Sequence, residues 1–425
     1  PGAAGIGGMR FLYSLIFLLL LPLILLRLYW KGRQLPAYRQ HIGERLGFYP
    51  SMSGRFIWLH AVSVGETRAA APLVRQLQQR YPEFSVLLTQ MTPTGRETAQ
   101  QLFGNSVTCV YLPYDLPWII RRFLRHFRPA FGILMETEIW PNLIQQCRQA
   151  NVPLYLANAR LSERSAKGYA RLQRLVRPAF AGLTRIAAQT AEDAQRLAVL
   201  GANQPLVCGN IKFDVSPPPD LAQQSARLAG LLGENRQILL WASTREGEEE
   251  QLLDAFQQLQ WPDLLLLLIV PRHPQRFDDV ANQIHQRGLS LQKRSAGLPI
   301  AASTRAVLGD SMGEMFAYFS VADVAIIGGS IQPLGGQNLI EACAVGTPVL
   351  FGPHMFNFAE ASRLALEAGA AQQADSADEL LAQAHILLQN LPRRQQMGSA
   401  GIAFSQAHRG ATERIIALLP NPQQL

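Results

Sequence analysis

Charge is sparse in this chain. Only 16% of its 425 residues are charged, 48% are hydrophobic, and the formal net charge of +8 is spread without a dense polybasic tail. A weakly basic balance of that kind suits anionic small molecules or a membrane surface. Cysteine is scarce too: Cys109, Cys147, Cys208 and Cys343 are scattered, with no CxxC and no histidine at ligand spacing. That argues against a disulfide framework and a zinc site, and fits a reducing compartment. The eight histidines form no HExxH. No GxGxxG follows the first strand pattern of either half, which disfavours a dinucleotide cofactor. No internal repeat or low-complexity tract is visible, so a solenoid is excluded.

Long apolar runs are also rare, with one exception. From Phe11 to Leu26 the chain reads "FLYSLIFLLLLPLILL", free of charge and flanked by Arg10 and Arg27. A spanning helix needs about 20 apolar residues, a length this run reaches if Arg27 snorkels and "LYW" is included. The alternatives are a buried core helix and a cleaved signal peptide, but no small-x-small site follows. Arg27, Lys31, Arg33 and Arg39 follow instead, with Tyr29 and Trp30 at headgroup depth. Residues 9–30 are therefore expected to be an uncleaved single-pass anchor, with the bulk of the chain on the cytoplasmic side. Residues 1–8, "PGAAGIGG", read as a cloning remnant outside the fold.

Beyond the anchor, short apolar runs alternate with helical patterns: "RFIWLHAVS", "SVLLTQM", "PAFGILME", "VPLYLAN", "RIAAQT" and "PLVCGN". The proline cluster "SPPPD" (216–220) interrupts the series, as a stiff linker would. A second series follows in "QILLWAS", "DLLLLLIV", "AVLGD", "VADVAIIGG" and "PVLFG". This alternation predicts an α/β protein with two Rossmann-like halves, residues 31–215 and 216–400, each a parallel sheet covered by helices on both faces. Residues 401–425 have helix-like spacing and are free to pack back on the N-terminal half.

The polar loops at strand ends are where open α/β sheets bind ligands. In the second half, "GGSIQPLGGQNLIE" (328–341) offers glycine-loop amides and a helix start suited to a phosphate, with Glu341 positioned for ribose hydroxyls. The plainer reading is that the glycines make a turn and Glu341 complements the helix dipole. "VPRHPQR" brings Pro271, Arg272 and His273 to another strand end. "GDSMGEM" brings Ser311, Met312, Gly313 and Glu314 to a third. In the first half, Glu66 of "HAVSVGET" sits near a helix start, either as a capping carboxylate or as a reactive one. "METEIWPN" places Glu136 and Glu138 after an apolar strand, and "GNIKFD" places Lys212 before the linker. The segments "WIIRRFLRHFR" (118–128) and "NARLSERSAKGYARLQRLVR" (158–177) are basic and amphipathic, suited to lipid contact or to a core-facing stripe.

Taken together, "HAVSVGE", "MTPTG", "ETEIWPN", "NARLSERS", "GNIKFD", "PRHP", "DSMGEM", "GGQNLIE" and "FGPHMFNF" resemble the 3-deoxy-D-manno-octulosonic acid (Kdo) transferases of lipid A assembly, in order and as far as about residue 360. The resemblance implies a GT-B glycosyltransferase whose two domains face a cleft, with the lipid IV-A acceptor on the N-terminal domain and CMP-Kdo on the C-terminal one. It implies that Glu66 is the general base and that Glu136 and Lys212 stabilise the transition state. CMP contacts would come from Pro271 and Arg272, from Met312, Gly313 and Glu314, and from Asn338, Leu339, Ile340 and Glu341. Neither a cofactor nor a metal nor nucleic acid is expected, and an anionic inner-membrane surface is. One departure is Ala342–Cys343, where the family usually reads Pro-Ala. Rival readings are a GT-B enzyme using a UDP-sugar, a sugar-nucleotide epimerase of the same architecture, and a non-catalytic membrane adaptor.

Overall fold

The computed structural model describes residues 3–33, 35–233 and 235–425, which divide into two units: residues 1–214 with 410–425, and residues 215–409. The first unit holds β1 (Phe56–His60), β2 (Ser85–Gln90), β3 (Val107–Tyr111), β4 (Gly132–Met135), β5 (Leu154–Ala159), β6 (Arg185–Ala188) and β7 (Leu206–Val207). They form one sheet in the order β3-β2-β1-β4-β5-β6-β7, and every pair is parallel. Along β1 alternate residues enter different cores, with Phe56 and Trp58 on one face and Ile57 and Leu59 on the other. Burial on both faces is why such strands read as continuous apolar runs. Gly132 is required beside β1, because a Cβ there would stand 2.5 Å from Trp58 Cε3.

The loops out of this sheet start helices with hydroxyl caps. Ser63, Thr92, Ser162 and Thr190 each accept a hydrogen bond from the amide three residues on, satisfying donors that a helix start leaves open. The helical pattern after β1 is broken into Val64–Ala69 and Ala71–Arg80, next to Pro72 at the start of the second helix. In the helix Pro117–Phe127, Ile119, Ile120, Phe123, Leu124 and Phe127 are buried, so its apolar stripe faces the core. The helix Glu163–Arg171 buries none of its residues.

In the second unit β8 (Gln237–Thr244), β9 (Leu265–Pro271), β10 (Leu291–Lys293), β11 (Ala306–Leu308), β12 (Val324–Ile327), β13 (Val349–Phe351) and β14 (Ala371–Gln373) form a second parallel sheet. Its order is β10-β11-β9-β8-β12-β13-β14.

Two boundaries differ from the sequence expectation. The helix Leu391–His408 runs through residue 401 and belongs to the second unit, so the returning segment begins at Gly410. There the Asp214 carboxylate accepts hydrogen bonds from the amides of Gly410 (2.7 Å), Ala411 (3.1 Å) and Thr412, and Ile415, Ile416 and Leu419 enter the first unit's core. Of the segment 1–8 read as a remnant, residues 1–2 lie outside the described residues, while Ala3 onward continues the N-terminal helix Ala3–Lys31. That helix is apolar enough to cross a membrane over Gly8–Lys31, with a mean hydropathy of 2.5. It is not a detached anchor, because Phe17, Leu21 and Leu28 pack on Tyr114, Leu116 and Ile119 of the first unit.

Candidate active site

Each sheet has a central switch point in its strand order: between β1 and β4 in the first, between β8 and β12 in the second. At such a switch point the loops leave in opposite directions and open a crevice beyond the carboxyl ends of the strands. Glu66 follows β1 and Glu136 follows β4, so both belong to the first unit's crevice.

Glu66 is the third residue of the helix Val64–Ala69. Its amide donates to Ser63 Oγ at 3.4 Å, while its own carboxylate accepts from the amide of Val62 at 2.8 Å and from Ser63 Oγ at 3.3 Å. This resembles a capping box, with the return bond coming from the amide before the N-cap residue rather than from its own. A helix start by itself favours an ionised Glu66. Burial, reinforced by the nearby charges of Glu136 and Glu138, pushes its carboxyl up to about 7 despite the stabilising bonds from Val62 and Ser63. Desolvation of the charged form outweighs the cap here.

Glu136 has φ of 56°, left-handed for a non-glycine residue, the kind of backbone strain that collects at functional sites. Its amide is fixed by Ala157 O at 2.9 Å, and Arg160 Nε lies 3.7 Å from its carboxylate. Glu138 accepts from Trp140 Nε1 at 2.8 Å, and burial pushes its pKa up. His60, at the end of β1, is fully buried, and desolvation lowers its pKa to about 4, so it is a neutral structural group bonded through Nδ1 to Thr89.

Lys212 follows β7, three strands from β4, yet its loop turns back: the Ile211 amide donates to Asn158 Oδ1 at 3.0 Å, at the end of β5 next to β4. Buried Gln189 completes this network, donating to Asn158 O at 2.9 Å and accepting from Asn210 Nδ2 at 3.1 Å. Sequence reasoning passed over Asn158 and Gln189. The available signal was a pair of carboxamides at the ends of otherwise apolar strands.

In the second unit the glycine loop after β12 is organised by a residue the sequence reading missed. Glu248 is fully buried, and its carboxylate accepts from the amides of Arg245 (3.0 Å), Gly329 (2.5 Å) and Ile331 (3.0 Å). Of the "GGS" amides expected to hold a phosphate, that of Gly329 is therefore already occupied by Glu248, and that of Gly328 donates to Ala242 O at 2.8 Å. Ser330 is likewise used internally, accepting from the Gly352 amide at 2.9 Å. Gly335 and Gly336 both have positive φ, and the "FGPHMFNF" segment seats them through Asn357, whose amide donates to Gly335 O at 2.9 Å.

The helix after this loop starts at Ile340, which puts Glu341 in its first turn. Asn338 bridges that start, accepting from the Ile340 amide and donating to Glu341 Oε1, both at 3.0 Å. Leu339 and Ile340 are fully buried, so only their backbone is available to a ligand. Pro271 ends β9, and the Arg272 amide is fixed by Thr244 O at 2.9 Å. Glu314 is tied to Arg294 at 2.9 Å and to Ser311, which leaves exposed Met312 and Gly313, φ 84°, at the turn. Among the described residues no group of three or more His, Cys, Asp or Glu forms a metal centre.

Two parallel sheets, each with a switch point and each packed with helices, are the elements of a GT-B architecture. A glycosyltransferase from Rickettsia africae shares the fold, with TM-score 0.55 and 13% identity over 86% of this chain and 98% of that one. So does the UDP-GlcNAc 2-epimerase from Neisseria meningitidis bound to UDP-GlcNAc, with TM-score 0.57 and 15% identity over 86% and 99%. Fold alone thus leaves transferase and epimerase unseparated. Sequence separates them. The family model described as 3-deoxy-D-manno-octulosonic-acid transferase (kdotransferase) matches residues 40–215. The 3-deoxy-D-manno-octulosonic acid transferase of Bordetella pertussis is 44% identical, covering 96% of this chain and 98% of its own. The chain belongs to the 3-deoxy-D-manno-octulosonic acid transferase family and is a glycosyltransferase.

Proposed function

We propose that the enzyme transfers Kdo from CMP-Kdo to the lipid A precursor lipid IV-A, with inversion at the transferred carbon and with Glu66 as general base. The observation that carries this reading is the placement of Glu66 after β1 and Glu136 after β4, on the two sides of the switch point, where burial raises the Glu66 carboxyl to about 7. A sugar hydroxyl is a weak nucleophile, and a base is most effective when its pKa lies near the working pH. The hydroxyl proton goes to Glu66 as the new glycosidic bond forms and the bond to the CMP phosphate breaks. Glu136 offers negative charge to the positive character developing on the sugar, and Lys212 offers positive charge to the departing phosphate.

CMP is assigned to the second unit. Arg272, with the turn after Pro271, and the Met312–Gly313 turn braced by Glu314 supply two of its walls. Asn338, the backbone of Leu339 and Ile340, and Glu341 supply the third. With Gly329 and Ile331 bound to Glu248, phosphate donors are sought among the amides near the helix start and in Arg272. The N-terminal helix attaches the enzyme to the cytoplasmic face of the inner membrane, where anionic lipid meets the basic first unit.

Incubating the enzyme with CMP-Kdo and lipid IV-A and reading the product by mass spectrometry tests the whole reading. Kdo-bearing lipid and free CMP are expected, and the product mass counts the Kdo units added. Transfer from a UDP-sugar in place of CMP-Kdo would replace the donor assignment.

A further inference from the structure

The N-terminal helix has two stripes of different character. Phe17, Leu21, Ile24, Leu25 and Leu28, at helical spacing, pack on Tyr114, Leu116 and Ile119. Among them Ser14 Oγ accepts a 2.9 Å hydrogen bond from the side-chain nitrogen of fully buried Asn142. Asn142 is itself seated by Asp115, which accepts from the amides of Asn142 (3.1 Å) and Leu143 (2.8 Å). A polar contact of this kind fixes the rotation of the helix on the unit. The opposite stripe is bare: Leu12 is 48% exposed, Leu19 69%, Leu23 61% and Leu26 64%.

Both ends of the helix meet the same globular unit. At the N-terminal end Arg10 shares a pocket with Arg148 and Arg174, which belong to the helices Pro141–Gln149 and Gln173–Ala181. At the other end Arg39 donates to Tyr29 O at 3.1 Å, and Leu28 packs in the same cluster as Leu46. Arg10 and Leu28 are about 27 Å apart along a helix, close to the thickness of a bilayer core of about 30 Å. Were the docked helix to cross the bilayer, Arg148 and Arg174 would have to reach the far face and Asp115 would have to enter the hydrocarbon. Ionisable groups at that depth are expensive.

We infer that the helix Ala3–Lys31 lies in the plane of a single leaflet, docked on the first unit, with the stripe Leu12, Leu19, Leu23 and Leu26 immersed in acyl chains. This rests on the assignment of the helix as the membrane attachment and changes its topology from crossing to lying flat. Charge supports lipid as the occupant. Arg10, Arg148 and Arg174 at one end, with Lys31 and Arg33 at the other, frame the stripe with cations suited to anionic headgroups, and Tyr29 and Trp30 belong at that interface. For the acceptor, an in-plane helix holds the first unit flush with the surface from which a lipid-borne hydroxyl would rise.

The test is a depth measurement. Leu12→Cys, Leu19→Cys and Leu26→Cys, each in a Cys109→Ser background, are spin-labelled on the full chain. The other three native cysteines are buried. Oxygen against polar-nickel accessibility is then read in vesicles of phosphatidylethanolamine and phosphatidylglycerol. All three labels are expected at the same shallow depth. A crossing helix would put Leu19 deeper than its neighbours by about 10 Å, and that profile overturns the in-plane placement while leaving the attachment intact. Protein that stays off the vesicles overturns both. Vesicle-bound protein whose labels are shielded from oxygen and nickel alike points to a second copy covering the stripe and overturns the lipid assignment.

Discussion

The two sheets treat their strand-end carboxylates in opposite ways. In the second unit Glu248 gathers three backbone amides, and Glu314 meets Arg294 at 2.9 Å. These groups hold loops in place. In the first unit Glu66, Glu136 and Glu138 crowd one crevice, and the mutual repulsion adds to burial in raising Glu66. An anion satisfied on every side builds a platform, whereas an anion kept short of compensation is ready to take a proton. The same residue type thus serves architecture in one unit and chemistry in the other.

Glutamine substitutions at Glu66 and Glu248 should break that contrast along different axes. Glu66→Gln, like Glu66→Ala, is expected to lower kcat by about 10²–10⁴-fold while leaving CMP affinity near the parent value, as calorimetry would register. A mutant with near-normal turnover would remove Glu66 from its role. Glu248→Gln keeps one strong acceptor for three amides, and each orphaned buried donor costs about 1–3 kcal/mol. The expected result is a loss of about 2–4 kcal/mol in denaturant unfolding together with weaker CMP binding. Unchanged stability would mean the clamp is dispensable. Smaller again is Arg272→Ala, expected to weaken CMP binding about tenfold, or about 1.4 kcal/mol, and an unaltered isotherm would detach that turn from the donor site.

How much of this was legible in the sequence depended on whether the signal was local. Long, doubly buried strands such as β1, β5, β8 and β9 announce themselves as apolar runs. β10 and β14 do not, because three-residue edge strands bury too little to leave a pattern. β3, "VTCVY", is short and carries Thr108 and Cys109 at its centre, so it gives no clear apolar run. Glu66, Glu136 and Lys212 were picked out by their position after strands. Glu248 was hidden in "EGEEE", where one acidic residue among several looks like dipole compensation. Only the three-dimensional return of Gly329 and Ile331 to its carboxylate, from some eighty positions along the chain, shows which glutamate is the clamp. The docked face of the N-terminal helix was equally invisible, since hydropathy does not distinguish the stripe that meets protein from the stripe that meets lipid.

An effect of similar size gives the cleanest reading of the contrast, because it uses stability to measure an activity-bearing charge. Glu66 titrates near 4.5 when unfolded and near 7 in the fold. As pH rises between those values the unfolded chain releases its proton first, so the folded state holds more protons and stability falls across that interval. Glutamine never acquires the charge. Glu66→Gln is therefore expected to match the parent near pH 4 and to exceed it at pH 8 by about 1–2 kcal/mol in urea unfolding, a value discounted for partial solvent access. The parent's kcat/KM should climb through the same pH of about 7 as the base ionises. Equal stability of the two proteins at pH 8 would mean that Glu66 is solvated well enough to ionise freely, and the distinction between a platform carboxylate and a reactive one would then have to rest on geometry alone.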